Sequence, residues 1–166
     1  LIAYFIKETS KNLYLFDSFQ GLPKPSEKAK LTNDIFNLGN IKRYEGKMSH
    51  SENKVINELR SINFNNENII INKGFFSEVS KNNMRLPKKV SFAFLDFDFY
   101  QPTLDGLNFL NNVLSTGGII IVDDYDFFST GAKISVDEWF KLNSKSYIKK
   151  IFKSKYANFV ILEKLN

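Results

Sequence analysis

Val90-Ser-Phe-Ala-Phe-Leu-Asp-Phe-Asp98 and Gly117-Gly-Ile-Ile-Ile-Val-Asp-Asp124 share one pattern: an apolar run that stops abruptly at a pair of aspartates. Runs rich in β-branched and aromatic residues, with no polar alternation, predict strands covered on both faces, as in a parallel sheet. Between them Leu104, Leu107, Leu110 and Leu114 recur at helical spacing, after Pro102 and before Gly117-Gly118. A proline near the start and glycines past the end are ordinary helix boundaries. Strand, helix and strand in this order make a βαβ unit.

Outward from this unit the pattern continues. Leu13–Phe16, Ile69–Ile71 and Phe159–Leu162 read as further strands, and Lys149–Phe152 as a weaker one. Val55, Leu59 and Ile62 mark another amphipathic helix. Alternating strands and helices predict an α/β fold with a largely parallel sheet. The final pair, 147–152 and 157–162, is joined only by Lys153 to Tyr156, too short for a crossover, so these strands are expected to be antiparallel.

The chain has 166 residues, 43% hydrophobic and 25% charged, which fits one domain over 1–166 and excludes a wholly disordered chain. There is no cysteine, which removes disulfides, thiolate metal sites and thiol catalysis. No apolar run reaches the length of a membrane span, and a cytoplasmic protein without a membrane partner is expected. The net charge of +5 raises the question of nucleic acid. Its lysines are scattered, however, and the densest group, Lys141 to Lys155, alternates with apolar residues as the solvent side of half-buried elements does. Residues 20–50 have no clean period and carry Gly21, Pro23, Pro25, Gly39 and Gly46. So long an irregular stretch is either a substrate-covering loop or a surface excursion.

In open α/β sheets ligands bind beyond the carboxyl ends of the strands. Here the strands end in Asp17-Ser18, Asn72-Lys73-Gly74, Asp96-Phe97-Asp98 and Asp123-Asp124. Carboxylates gathered at one edge repel unless a cation neutralises them, and Asp96, Asp123 and Asp124 point to a hard divalent ion such as Mg²⁺. Asp123 and Asp124 also suit a turn or helix cap. Asp17 either accepts from the hydroxyls of a nucleotide ribose or forms a turn with Ser18. His50 reads as an exposed loop histidine.

Several segments together resemble the macrocin O-methyltransferase (TylF-like) family. Leu13-Tyr-Leu-Phe-Asp-Ser-Phe-Gln-Gly-Leu-Pro-Lys-Pro25 resembles that family's second strand and following segment. Ile70-Ile-Asn-Lys-Gly-Phe-Phe76, Phe94-Leu-Asp-Phe-Asp-Phe-Tyr-Gln-Pro-Thr103 and Gly117–Tyr125 are similar to its later strands and turns, and Gly131–Phe140 to the next helix. The resemblance runs in order from about residue 1 to 140. It implies a Rossmann-like methyltransferase fold using S-adenosylmethionine (SAM) and Mg²⁺ to methylate a hydroxyl, with a sugar-type small molecule as substrate. By the same resemblance Asp96, Asp123 and Asp124 are expected to hold the metal, and Asp17, with Ser18 beside it, the SAM ribose. Lys73, Gly74 and Phe75 are expected near the adenine. The lysine base of the more distant catechol O-methyltransferases is replaced by Phe99, leaving Asp96 or Asp98 to take the hydroxyl proton.

The resemblance also implies a first strand and a glycine-rich turn ahead of Leu1, with that strand between 13–16 and 90–95. Leu1–Lys7 reads as the end of the helix after that turn, with Leu1, Ile2, Phe5 and Ile6 as its apolar face, and the chain is expected to be part of a larger enzyme, with a homo-oligomer left open. Two other readings were weighed. A haloacid dehalogenase-type phosphohydrolase needs Gly-Thr after its Asp-x-Asp, where Phe99-Tyr100 stands. A basic nucleic-acid-binding module leaves the aspartates unexplained.

Overall fold

The computed structural model describes residues 1–82, 85–155 and 157–165, and of Asn66 only the backbone. Tyr156, at the end of the expected β-turn connection, lies outside the described residues. Contacts divide the chain into two compact units, Leu1–Gly21 with Gly46–Leu86, and Leu22–Glu45 with Pro87–Asn166.

The first unit holds α1 (Ile2–Ile6), β1 (Leu13–Asp17), α2 (Glu52–Ser61), β2 (Ile69–Lys73) and α3 (Phe76–Asn82). β1 and β2 run parallel in unbroken register, from Leu13 opposite Ile69 to Asp17 opposite Lys73. The residues that set the helical period of α2 bury against this pair: Leu59 with Ala3 and Phe64 forms a small core, flanked by Val55, Ile62, Leu13, Leu15 and Ile69. Ser51 starts α2 by accepting a hydrogen bond from the Lys54 N–H, satisfying an otherwise orphaned donor. The expected apolar face of α1 differs. Ala3 and Ile6 pack inward, three residues apart on a helix of little more than one turn, whereas Leu1 is 93% and Phe5 73% exposed.

The second unit is a four-stranded sheet in the order β3-β4-β6-β5, formed by β3 (Val90–Leu95), β4 (Leu114–Val122), β5 (Tyr147–Lys153) and β6 (Asn158–Lys164). β3 and β4 are parallel, as the βαβ reading requires, with α4 (Tyr100–Val113) between them in sequence. β6 is antiparallel to both neighbours, in accord with the short connection before it. α5 (Thr130–Asn143) joins β4 to β5. The core is continuous: Leu107 and Leu110 of α4, Val136 and Trp139 of α5, and Ile120, Val122, Val160 and Leu162 of the sheet are all buried. β1 and β3 each pair with one strand only among the described residues, and belong to separate sheets.

One boundary departs from the expectation. Leu114 continues the leucine spacing of α4, yet its ψ of 129° is extended and it opens β4. Its side chain is buried there all the same, so the same apolar residue serves the core from a strand. The four residues that follow slip the register, from Val90 opposite Leu114 to Phe92 opposite Ile119, and Gly117 takes the bend at a φ of +70° that a residue with a Cβ adopts poorly. Among the described residues no helix is long and apolar enough to cross a membrane.

Leu107, with no exposed surface, lies in the middle of the core, whereas Leu142 is 86% exposed on the next helix. Leu107→Ala is expected to cost about 2–5 kcal/mol in urea unfolding, and Leu142→Ala less than about 0.5 kcal/mol. Equal losses at the two positions would contradict this packing.

Candidate functional site

In the second unit the carboxyl ends of β3 and β4 bring acidic side chains together. Asp96, Asp98 and Asp124 each offer an oxygen within 4.8 Å of the others. Asp96 and Asp98 are two residues apart beyond one strand, and the turn at Asp98, at a φ of +59°, accompanies the approach of their carboxyl groups. Asp123 and Asp124 are adjacent, and successive extended residues point to opposite faces. Asp124 joins the group, with its backbone at a φ of +50°. The Asp123 backbone extends the strand pairing through its N–H to the Leu95 carbonyl, 2.8 Å, and its Oδ1 accepts the Asp124 N–H at 2.9 Å. The set that converges is thus Asp96, Asp98 and Asp124, with Asp123 bracing Asp124 from behind. Sequence reading had named all four residues but placed Asp98 only as a proton acceptor. Its membership depends on the turn at Asp98, which the residue spacing alone does not reveal.

Burial decides the electrostatics. Asp98 is 7% exposed, and its carboxyl is pushed up to about 9, first by desolvation, then by its hydrogen bond with Asp124 and the charges of Asp96, Asp124 and Asp123. Asp124 is also raised, mainly by burial and by Asp123, while the hydrogen bond with Asp98 works against the rise. The protonated form of Asp98 is therefore favoured at neutral pH. Either that proton or a cation is needed to keep these groups together. The donor set, carboxylate oxygens alone and partly buried, suits a hard divalent cation and offers nothing to a soft one.

The neighbouring backbone explains how such crowding is held. Asp98 sits at a φ of +59° and is followed by Phe99, which is almost fully buried and whose carbonyl accepts the Thr103 Oγ1–H at 2.8 Å. Gly131, at the start of α5, is pressed against the first turn of α4: a Cβ there would come within 2.6 Å of the Tyr100 nitrogen. Residues 22–45 are built onto the same region. Thr32 and Asn33 donate their N–H groups to the Phe128 carbonyl, and Thr130 donates its own to the Lys30 carbonyl. Tyr44, fully buried, meets the Phe128 ring edge-on at 4.9 Å and donates its hydroxyl to Asp34 at 2.6 Å. Lys28 lies 3.8 Å over the Tyr100 ring and pairs with Glu138. Most of the irregular 20–50 stretch is thus a folded loop, an outcome set by contacts with residues about a hundred positions away.

In the first unit Asp17, Ser18, Lys73, Gly74 and Phe75 gather where β1 and β2 end side by side. The Gly74 N–H donates to the Asp17 carbonyl at 3.0 Å. Asp17 Oδ1 accepts the Phe19 N–H at 2.7 Å, and Ser18 Oγ donates to the Gly21 carbonyl at 3.1 Å, so both also shape the turn. The Asp17 side chain remains exposed beyond the strand end, a placement suited to accepting from ribose hydroxyls. Lys73 pairs with Glu52 at 3.0 Å and stands over the Phe19 ring. Gly74, at a φ of +137°, is pressed on Val79, where a Cβ would lie 2.8 Å away. Phe75 accepts the first N–H groups of α3 with its carbonyl. His50 is exposed.

Comparison with solved structures finds methyltransferases of similar fold. The O-methyltransferase NovP superposes with a TM-score of 0.75 at 22% identity, over 96% of this chain and 62% of that one. Calicheamicin methyltransferase CalS11 superposes with a TM-score of 0.63 at 16% identity, over 96% and 65%. Its apo form, titled as a TDP-rhamnose 3'-O-methyltransferase, gives 0.56 at 14% identity, over 96% and 64%. The chain thus spans less than two-thirds of the length of each of these relatives, and the likeness establishes a Rossmann-like methyltransferase fold. No curated protein matches the chain significantly in sequence. The family of macrocin-O-methyltransferase (TylF) matches residues 4–151, nearly the whole chain, and the chain belongs to that family.

Proposed function

We propose that this chain carries the acceptor and metal-binding residues of a SAM-dependent O-methyltransferase that methylates a hydroxyl of a sugar or glycosylated small molecule with the help of Mg²⁺. The observation that carries the reading is the convergence of Asp96, Asp98 and Asp124 on one point at the end of the sheet. Family membership supplies the reaction class, and the likeness to CalS11, described as a TDP-rhamnose 3'-O-methyltransferase, supports the substrate class.

When bound, SAM supplies the methyl group and Mg²⁺ the charge that favours ionisation of an alcohol near neutral pH. The residues of the chain do the rest. Asp96, Asp98 and Asp124 hold the cation, and Asp123 adds charge while fixing the Asp124 backbone. Asp96, the exposed member of the group, or Asp98 receives the proton that the acceptor hydroxyl loses, since Phe99 provides no base. Asp17 accepts from the ribose hydroxyls, Ser18 holds the turn beside it, and Lys73, Gly74 and Phe75 line the adenine side. Residues 22–45 cover the acceptor. Placement of the acceptor oxygen for in-line attack supplies most of the remaining acceleration.

In the enzyme, Asp98→Asn and Asp124→Asn are expected to lower Mg²⁺-dependent methyl transfer about a hundredfold or more, with the circular dichroism spectrum unchanged. Full activity of either variant, or of the wild type in excess chelator, would refute the metal assignment. Asp17→Ala is expected to weaken SAM binding by roughly tenfold to a hundredfold in calorimetry, the loss of a hydrogen bond to a charged acceptor. An unchanged affinity would take Asp17 out of the site.

The raised Asp98 gives a third test, with its sign fixed by linkage. Its folded pKa lies above the unfolded value near 4, so without metal the folded state binds the extra proton between those limits, and stability is lost as pH rises from about 4 towards about 9. Mg²⁺ must displace that proton, so its affinity is expected to rise with pH over the same window. A Mg²⁺ affinity flat between pH 6 and pH 9 would mean that Asp98 is not a ligand.

A further inference from the structure

Ser129 is wholly buried, and one hydroxyl does two things there. It donates to the Asp98 carbonyl at 2.6 Å and accepts the Gly131 N–H at 3.0 Å as the N-cap of α5. The Asp98 backbone gains from such an anchor, because its φ of +59° costs free energy for a residue with a Cβ, less for aspartate than for most. The local turn closed by the Phe99 N–H on the Phe97 carbonyl leaves the Asp98 carbonyl itself to be held from outside. The residues on each side of Ser129 are themselves held by residues 22–45. Leu31 pairs with Ser129 as an isolated antiparallel bridge, the Phe128 carbonyl accepts from Thr32 and Asn33, and Thr130 Oγ1 donates to the Lys28 carbonyl while accepting the Lys30 N–H. The Phe128 ring, fully buried, also stacks on Phe99, the residue after Asp98.

We infer that Ser129 is a positioning residue for the acidic group, fixing through the Asp98 main chain the direction in which the Asp98 carboxylate meets Asp96 and Asp124, and that residues 22–45 set its place. The inference rests on the reading of that group as a divalent-cation site. Ser129 touches neither metal nor substrate in this role. Without its hydroxyl Asp98 relaxes towards an ordinary backbone conformation and its oxygen leaves the converging set. Metal affinity falls even though every carboxylate is still present.

The test is Mn²⁺ binding, followed by calorimetry on the full chain with thermal unfolding measured in parallel. Ser129→Ala is expected to weaken Mn²⁺ by about tenfold, the low end of the effect of losing a partner that orients a ligand. Ser129→Thr, which keeps the hydroxyl, is expected to restore binding. Asp98→Asn serves as the reference that abolishes it. Should the alanine variant fail to fold, Ser129→Gly, better tolerated at an N-cap, takes its place. Wild-type affinity in Ser129→Ala beside a dead Asp98→Asn, with only the melting temperature lowered, would overturn the positioning role and leave the metal site standing. Equal weakening in the alanine and threonine variants would assign the effect to packing and also overturn it. A wild-type chain that binds no Mn²⁺ would overturn the cation reading itself.

Discussion

A carboxyl group buried among other carboxyls is the constraint around which the second unit is arranged. Asp98 has little solvent to stabilise a charge, and its neighbours Asp96 and Asp124 add repulsion to desolvation. Left to itself, such a group would swing outward to water. It stays because the strand ends converge, because the backbone beyond each strand turns into the left-handed region at Asp98 and Asp124, and because α4 and α5 close tightly around the turn. The disfavoured backbone and the disfavoured charge occur at the same place. A cation at that point relieves the second, and the packing of Phe99, Phe128 and Gly131 enforces the first.

Much of this was legible in the residues themselves. Apolar runs at 90–95 and 119–122 read as strands and the leucines between them as a helix, as found. The expected cover on both faces fails at β3, an edge strand among the described residues, where Phe92 and Phe94 are 40% and 44% exposed. The short 153–156 connection required an antiparallel partner, which β6 supplies. Aspartates at the ends of those runs marked the edge where Asp96, Asp98 and Asp124 converge. The same pattern misassigned Leu114, since leucine serves the core equally well from a helix or a strand, and the glycines that decide between them stand three and four residues later. The exposed side of α1 was likewise unreadable, since a single turn has too few residues for its period to fix a direction.

What lay beyond sequence reasoning was long-range. Asp98 and Asp123 are both aspartates near a strand end, and only the fold of the turns distinguishes the one that joins the group from the one that braces it. Residues 22–45 carry no periodicity because their partners are not local. Tyr44 is buried by Phe128, and Lys28 is held by Tyr100 and Glu138. Ser129 preceding a helix was readable as a cap. Its second bond, to a main-chain carbonyl on another strand end, was not, because only the closeness of α4 and α5 creates it.

The folded character of residues 22–45 also bears on how such a loop can change within this scaffold. A loop that carries its own buried tyrosine, its own carboxylate clasp and a backbone ladder to Phe128–Thr130 is a cassette with a matching socket. Transplanting it between related enzymes without the socket would strip Tyr44 of its packing on Phe128 and leave the facing backbone groups unsatisfied. Exchanged together, loop and socket form a module that can diverge while the strand ends keep their chemistry.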